Sequence, residues 1–247
     1  MKQHLLWKMS GLFLSYLSLA FGLVLAKSKS WRVWVFDSTI IPVVFIGLWE
    51  AFYLQSSNVS GTLVELPVYS QINKSWIVSN EIKYSQDLML LDNITKSLAL
   101  VFGSVAFFVS WIDDRYSEVL RSCYKNAAIF LFLSCACTVG TVSWNFAVDF
   151  LGQTTLNFPQ NFPIAKEILR KKRLSYVFPL GITTASLSLI SSAMFFWENY
   201  LPKRQNEVEP MTVTRVSEQK DLNRGLLFFK WLPRVLKEIS CVHVTLP

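Results

Sequence analysis

LLWKMSGLFLSYLSLAFGLVLA, residues 5–26, runs for 22 residues with a single charge, Lys8. A bilayer hydrocarbon core of ~30 Å needs about 20 apolar residues of helix to cross it. Lipid offers no partner for backbone N–H and C=O groups, so such a segment must be helical. Three further runs follow: SLALVFGSVAFFVSWI (97–112), AAIFLFLSCACTVGTVSW (127–144) and YVFPLGITTASLSLISSAMFFW (176–197). The expected fold is an integral membrane all-α four-helix bundle with helices at about 5–26, 94–112, 127–145 and 176–197. Loops of about 27–93 and 146–175 would lie on one side, and a tail, 201–247, would follow the four-span region 1–200.

The first run also ends Val24-Leu25-Ala26, the small-x-small pattern of a cleaved secretory signal. Its length exceeds the roughly 7–15 residues of a signal's apolar core, which favours a retained helix.

Composition agrees with a membrane protein. The chain is 52% hydrophobic and 17% charged, against about 25% charged for a soluble domain. The net charge of +7 sits in residues 166–173 and in the tail, whereas residues 27–96 balance to zero. A basic excess on so apolar a chain points to lipid headgroups as partners rather than nucleic acid. The histidines, His4 and His243, sit near opposite ends, so neither a zinc site nor a histidine base for hydrolysis is expected. No nucleotide loop or clustered acid pair occurs, and neither catalysis nor a cofactor is expected.

The long first loop contains strand-like sequence. Residues 31–54 are rich in Val, Ile, Phe, Tyr and Trp, which suit a pleated surface. Arg32, Asp37, Pro42 and Glu50 argue against a fifth span, because a charge at bilayer depth costs roughly 3 kcal/mol. Two strands joined around residues 38–42 are expected, with strand character resuming at 62–68, giving a small extracellular β-sheet.

Basic residues divide almost evenly across the membrane, so orientation rests on another signal. Asn58-Val59-Ser60 and Asn73-Lys74-Ser75 are N-glycosylation sequons in the long loop, which favour placing it outside. Asn93-Ile94-Thr95 is a third, set against the second helix. Both termini are then cytoplasmic.

Small residues recur four apart: Gly11 and Ser15; Ser18, Gly22 and Ala26; Ser134 and Thr138; Thr184, Ser188 and Ser192. They let helices approach closely in lipid. The four runs hold no central ionisable residue, which disfavours a pump or secondary transporter. The basic run KEILRKKR offers Lys166, Arg170, Lys171, Lys172 and Arg173 for extracellular interaction, or else is a solvated helix end. Cys123 is a candidate palmitoylation site at a cytoplasmic membrane edge. The tail segment GLLFFKWLPRVLKEIS (225–240) reads as a basic, kinked stretch on the membrane surface within an otherwise disordered tail.

Trp31, followed by Gly47-Leu48-Trp49 in a long first loop between helices, resembles the claudin superfamily. The strings Trp31-Arg32-Val33-Trp34 and Phe158-Pro159-Gln160-Asn161-Phe162-Pro163 are similar to a divergent branch of it, and the resemblance spans roughly residues 5–200. It implies a left-handed bundle carrying an extracellular sheet, with Trp31 and Trp49 where sheet meets bilayer. It implies association with other claudin-like proteins in cis or trans, and a plasma-membrane protein of cell–cell contacts, such as a component of the tight-junction paracellular barrier.

Three departures accompany the resemblance. Phe52 stands where the family has the first cysteine of a loop pair, an arginine near the start of the second helix is absent, and the chain ends Thr245-Leu246-Pro247. That ending suits a PDZ groove poorly, because the groove relies on backbone hydrogen bonds. The alternative function is a four-span auxiliary or trafficking subunit of another membrane protein, without adhesion.

Overall fold

The computed structural model describes residues 2–59, 62–72, 76, 80–112, 117–159 and 162–206. The chain forms two units, Met1–Lys203 and Arg204–Pro247, the second described only at the end of the last helix. The first unit contains helices α1 (Lys2–Lys27), α2 (Asn80–Ile112), α3 (Ser117–Phe150) and most of α4 (Val177–Asn206). Between α1 and α2 lie strands β1 (Arg32–Phe36), β2 (Val43–Ile46), β3 (Glu50–Val59) and β4 (Thr62–Gln71); β5 (Leu169–Arg173) precedes α4.

Among the described residues four helices are long and apolar enough to cross a membrane: Leu6–Lys27, Asn80–Ser110, Glu118–Phe150 and Val177–Trp197. Their patterning is the reverse of a water-soluble bundle. Ser15, Ser18, Ser134, Thr138, Thr184, Ser188 and Ser192 are buried, whereas Phe13, Leu23, Val101, Phe132, Val139 and Leu189 are exposed. Water would strongly oppose that arrangement, while a lipid surround suits it, since helix contact there rests on packing and hydrogen bonds.

The small-residue rows serve contacts within the bundle. Ser15 Oγ lies 2.6 Å from Ser191 Oγ, and Ser18 Oγ lies 2.6 Å from Ser188 Oγ. Ser191 also donates to Gly11 O, and Ser192 donates to Ala128 O, tying α4 to α1 and α3.

The strands form one five-stranded antiparallel sheet in the order β4-β3-β2-β1-β5. The α1–α2 and α3–α4 segments therefore contribute to a single sheet at one end of the bundle. Side chains alternate across it as the pleat requires. Trp34, Phe36, Val44, Ile46, Ala51 and Tyr53 are buried on its inner face with Trp76, Ile82, Leu156 and Ile164. Phe158 and Phe162, rings 4.3 Å apart, pack against this cluster, so the aromatics of the second loop cap the sheet of the first. Phe52 lies opposite both Phe45 and Tyr69, with ring separations of 5.8 and 5.1 Å. Cross-strand aromatic contacts occupy the place where the resemblance implied a disulfide.

Several boundaries differ from the sequence reading. Helix α2 starts at Asn80 rather than near 94, so the first loop ends well before residue 93. Its first turns are polar on the outside but bury Ile82, Ser85 and Met89. Asp92 lies well inside α2 rather than near its start, where Glu81 stands instead. The basic run is not a helix end: Lys166–Ile168 is a 3₁₀ turn and β5 is a strand paired with β1. The tail segment 225–240 lies outside the described residues.

Candidate functional site

Two buried polar clusters are built from these elements. The first joins the sheet to the bundle. Arg32 on β1 is buried, and its fork reaches α2, α3 and the loop that follows α3. Nη1 donates to Thr154 Oγ1 at 2.7 Å, and Nη2 donates to Asn145 Oδ1 at 3.2 Å and faces Glu81 Oε1 at 3.5 Å. Thr154 in turn donates to Glu81 Oε1 at 2.8 Å, and Asn145 donates to Ser85 Oγ. Burial pulls the Arg32 guanidinium below its ordinary value, opposed by Asp149 and then Glu81.

One step along β1, Trp34 Nε1 donates to Asp149 Oδ1 at 3.1 Å, and Lys172 of β5 pairs with the same oxygen at 3.1 Å. Lys166 and Lys172 both lie near the Trp34 ring, 5.8 and 5.7 Å from its centroid. Lys166 also donates to Leu156 O at 2.8 Å. Its ammonium is held below the usual lysine range by burial and then by repulsion from Lys172 and Arg32. Cations from the sheet side thus meet anions from α2 and α3.

The second cluster lies inside a candidate span. Asp92 and Lys96, one turn apart on α2, are fully buried. Asp92 Oδ1 accepts from Ser134 at 2.6 Å and Thr138 at 3.0 Å, and its Oδ2 accepts from Lys96 at 2.6 Å. Gly22 of α1 closes the cluster: a Cβ there would lie 2.8 Å from Asn93 Oδ1 and 3.0 Å from Lys96 Nζ. Asn93 Oδ1 is buried without a hydrogen-bond partner among the described residues. The expectation that the spans hold no central ionisable residue is therefore overturned. The apolar run began at Ser97 because it was cut at Lys96, whereas the helix carries the pair inward as a neutralised unit.

The sequence-predicted residues separate. Trp31 is buried and donates from Nε1 to Leu25 O at 3.0 Å. Gly47 makes a tight turn, its N–H donating to Glu50 O, and a Cβ there would meet Ser28 O at 2.7 Å. Leu48 is buried among Leu25, Trp31, Met89, Val142 and Val177. Trp49 is 41% exposed, because the turn that buries Leu48 points its neighbour outward.

Of the basic run, Lys166 and Lys172 are engaged inward, whereas Arg170, Lys171 and Arg173 are exposed on the edge strand. Cys123, the candidate palmitoylation site, is buried beside Tyr124, Ala127 and Ala128. Asn58 lies on β3 opposite Leu63, and Asn73 lies outside the described residues. Among the described residues no group of His, Cys, Asp and Glu could hold a metal ion.

In comparison with known proteins, no family model matches the chain and no curated protein matches it.

The sequence reading missed Arg32, Glu81, Asp149, Asp92 and Lys96 as members of sites. One signal for the last two was present. Ile82, Ser85, Met89, Asp92, Lys96 and Ala99 recur at alternating steps of three and four, the inner face of a single helix.

Proposed function

We propose that this chain is a claudin-like multi-pass protein of the plasma membrane that acts through its sheet at contacts between cells. The observation that supports this best is the sheet itself. The α1–α2 and α3–α4 segments join in one five-stranded sheet at one end of the bundle, held there by the buried Arg32–Glu81 pair and the partly buried Lys172–Asp149 pair. A rigid platform fixed to a membrane anchor is suited to presenting a surface to another molecule. The sequon at Asn58 on β3 favours an extracellular sheet, with N- and C-termini cytoplasmic. Arg170, Lys171 and Arg173 offer a basic edge to a claudin-like partner in cis or trans, where charge steers association.

Mixed cultures test this reading. Tagged protein should concentrate at borders between two expressing cells and not at borders with non-expressing cells. Equal distribution over all borders, with stable co-purification of another membrane protein from the same cell, would replace it with the auxiliary-subunit reading. Orientation is tested separately. Deglycosylation should speed gel migration, and Asn58→Gln with Asn73→Gln should remove the shift.

A further inference from the structure

An open groove of about 510 Å³ lies where α1 ends and α4 begins, lined by Leu23, Val24, Lys27, Ser28, Lys29, Ser30 and Tyr176. That volume falls within the roughly 300–1,000 Å³ of small-molecule sites. Its two halves differ in chemistry. Leu23 and Val24 are about half exposed and belong to a candidate membrane span. Lys27 ends that span, and Val177, next to Tyr176, begins another. The groove thus crosses the level at which lipid-facing helix gives way to the polar connection.

The back wall is a hydrogen bond of 2.8 Å between Ser28 Oγ and Tyr176 Oη. The rim holds two lysines. Lys29 is paired with Glu50 at 3.2 Å and sits 4.1 Å from the Tyr69 ring centroid. Lys27 has no hydrogen bond or ion pair among the described residues, although it is exposed beside them. A lysine with no ion pair among the described residues therefore lines the same groove as the apolar Leu23 and Val24.

We infer that this groove seats one anionic phospholipid, its phosphate against Lys27 and its acyl chains along Leu23 and Val24. A free phosphate would use the rim but leave the apolar floor in water. A neutral lipid would use the floor but leave Lys27 without a counter-charge beyond the lipid phosphate it already shares with a choline. Only a ligand with both features and net negative charge satisfies each half.

The full chain in phosphatidylcholine nanodiscs, doped with a photoactivatable phosphatidylserine, provides the test. Cross-links should map to residues 23–30 and to Tyr176. Lys27→Gln should reduce them about fivefold, the effect of one basic residue at a membrane surface, and Lys27→Arg should restore them. Lys83→Gln, which removes an exposed lysine elsewhere, serves as the control and should change nothing. Competing soluble glycerol phosphate should leave the cross-links intact, and photoactivatable phosphatidylcholine should label the groove less. Equal loss in Lys27→Gln and Lys83→Gln would overturn the site. Displacement by soluble glycerol phosphate, or equal labelling by the two lipids, would overturn the anionic lipid as its occupant. Lys27 points away from the packed core, and a normal elution profile for Lys27→Gln separates lost binding from lost folding.

Discussion

Asp92 and Lys96 stand one turn apart on α2 with 2.6 Å between Oδ2 and Nζ, and neither side chain is exposed. Desolvating two charges is expensive, and their attraction offsets that cost only while both are present. Lys96→Met should therefore leave a buried carboxylate uncompensated and destabilise the bundle by about 3–5 kcal/mol. Asp92→Leu combined with Lys96→Met should recover most of that loss, because apolar side chains of similar size replace buried pairs at little cost. Thermal unfolding in detergent measures both. A double variant as unstable as the single one would mean that the hydroxyls of Ser134 and Thr138, rather than the ion pair, set the stability of this layer.

Three glycines should respond to alanine in a fixed order. At Gly47 the new methyl meets backbone on three sides, Ser28 O at 2.7 Å, Glu50 O at 2.8 Å and Lys29 Cα at 2.9 Å, and backbone cannot move aside. At Gly22 it meets the ends of Asn93 and Lys96, which can rotate away at the expense of the polar cluster. At Gly140 it meets nothing within 4 Å. Gly47→Ala should cost most, about 1–3 kcal/mol or more. Gly22→Ala should cost less, and Gly140→Ala should stabilise α3 by roughly 0.5–1 kcal/mol. Melting temperatures of the three purified variants give the order, and a Gly140→Ala protein weaker than Gly47→Ala would contradict these contacts.

The four apolar runs and the first two strands were legible in the sequence because each obeys a local rule: apolar length for the helices, and Val, Ile and aromatic content around the turn at 37–42 for β1 and β2. What escaped was set by partners distant in the chain. LRKKR has no alternation of apolar residues, and it is a strand because β1 offers it a free edge. Asp92 and Lys96 stop an apolar run on paper, yet on one helix face they cancel and turn inward. The Gly-Leu-Trp motif marks a turn, but sequence alone does not say whether Leu48 or Trp49 faces the bundle.

That turn makes Trp31 and Trp49 unequal. Trp31 is 8% exposed and hydrogen-bonded to Leu25 O, whereas Trp49 is 41% exposed. Trp31→Ala should cost about 3–5 kcal/mol in detergent, as for other buried large aromatics. Leu48→Ala should cost about 2–5 kcal/mol on the same grounds. Trp49→Ala should cost much less in detergent, its exposed ring being suited to the membrane interface instead. Chemical denaturation of the three variants in one detergent ranks them, and a Trp49 loss equal to that of Trp31 would place Trp49 in the core after all.

The connection between sheet and bundle carries the last prediction. Arg32 reaches Thr154, Asn145 and Glu81 from two nitrogens of one planar fork, a spread that the single nitrogen of an ammonium does not reproduce. Arg32→Lys should therefore fail to preserve the contact, and Arg32→Met should remove the guanidinium that faces the buried Glu81 carboxylate. The loss should be local. Ser15–Ser191 and Ser18–Ser188 hold the helices together at a level the latch does not reach. Hydrogen exchange on the full chain should then show faster exchange of β1 and β5 amides in both variants, with α1 and α4 protected as before. Combining Arg32→Met with Glu81→Gln should slow sheet exchange relative to Arg32→Met alone, since it also removes the buried negative charge that the guanidinium faced. If helices and sheet loosen together, Arg32 supports the whole bundle and the sheet is not a separately latched platform.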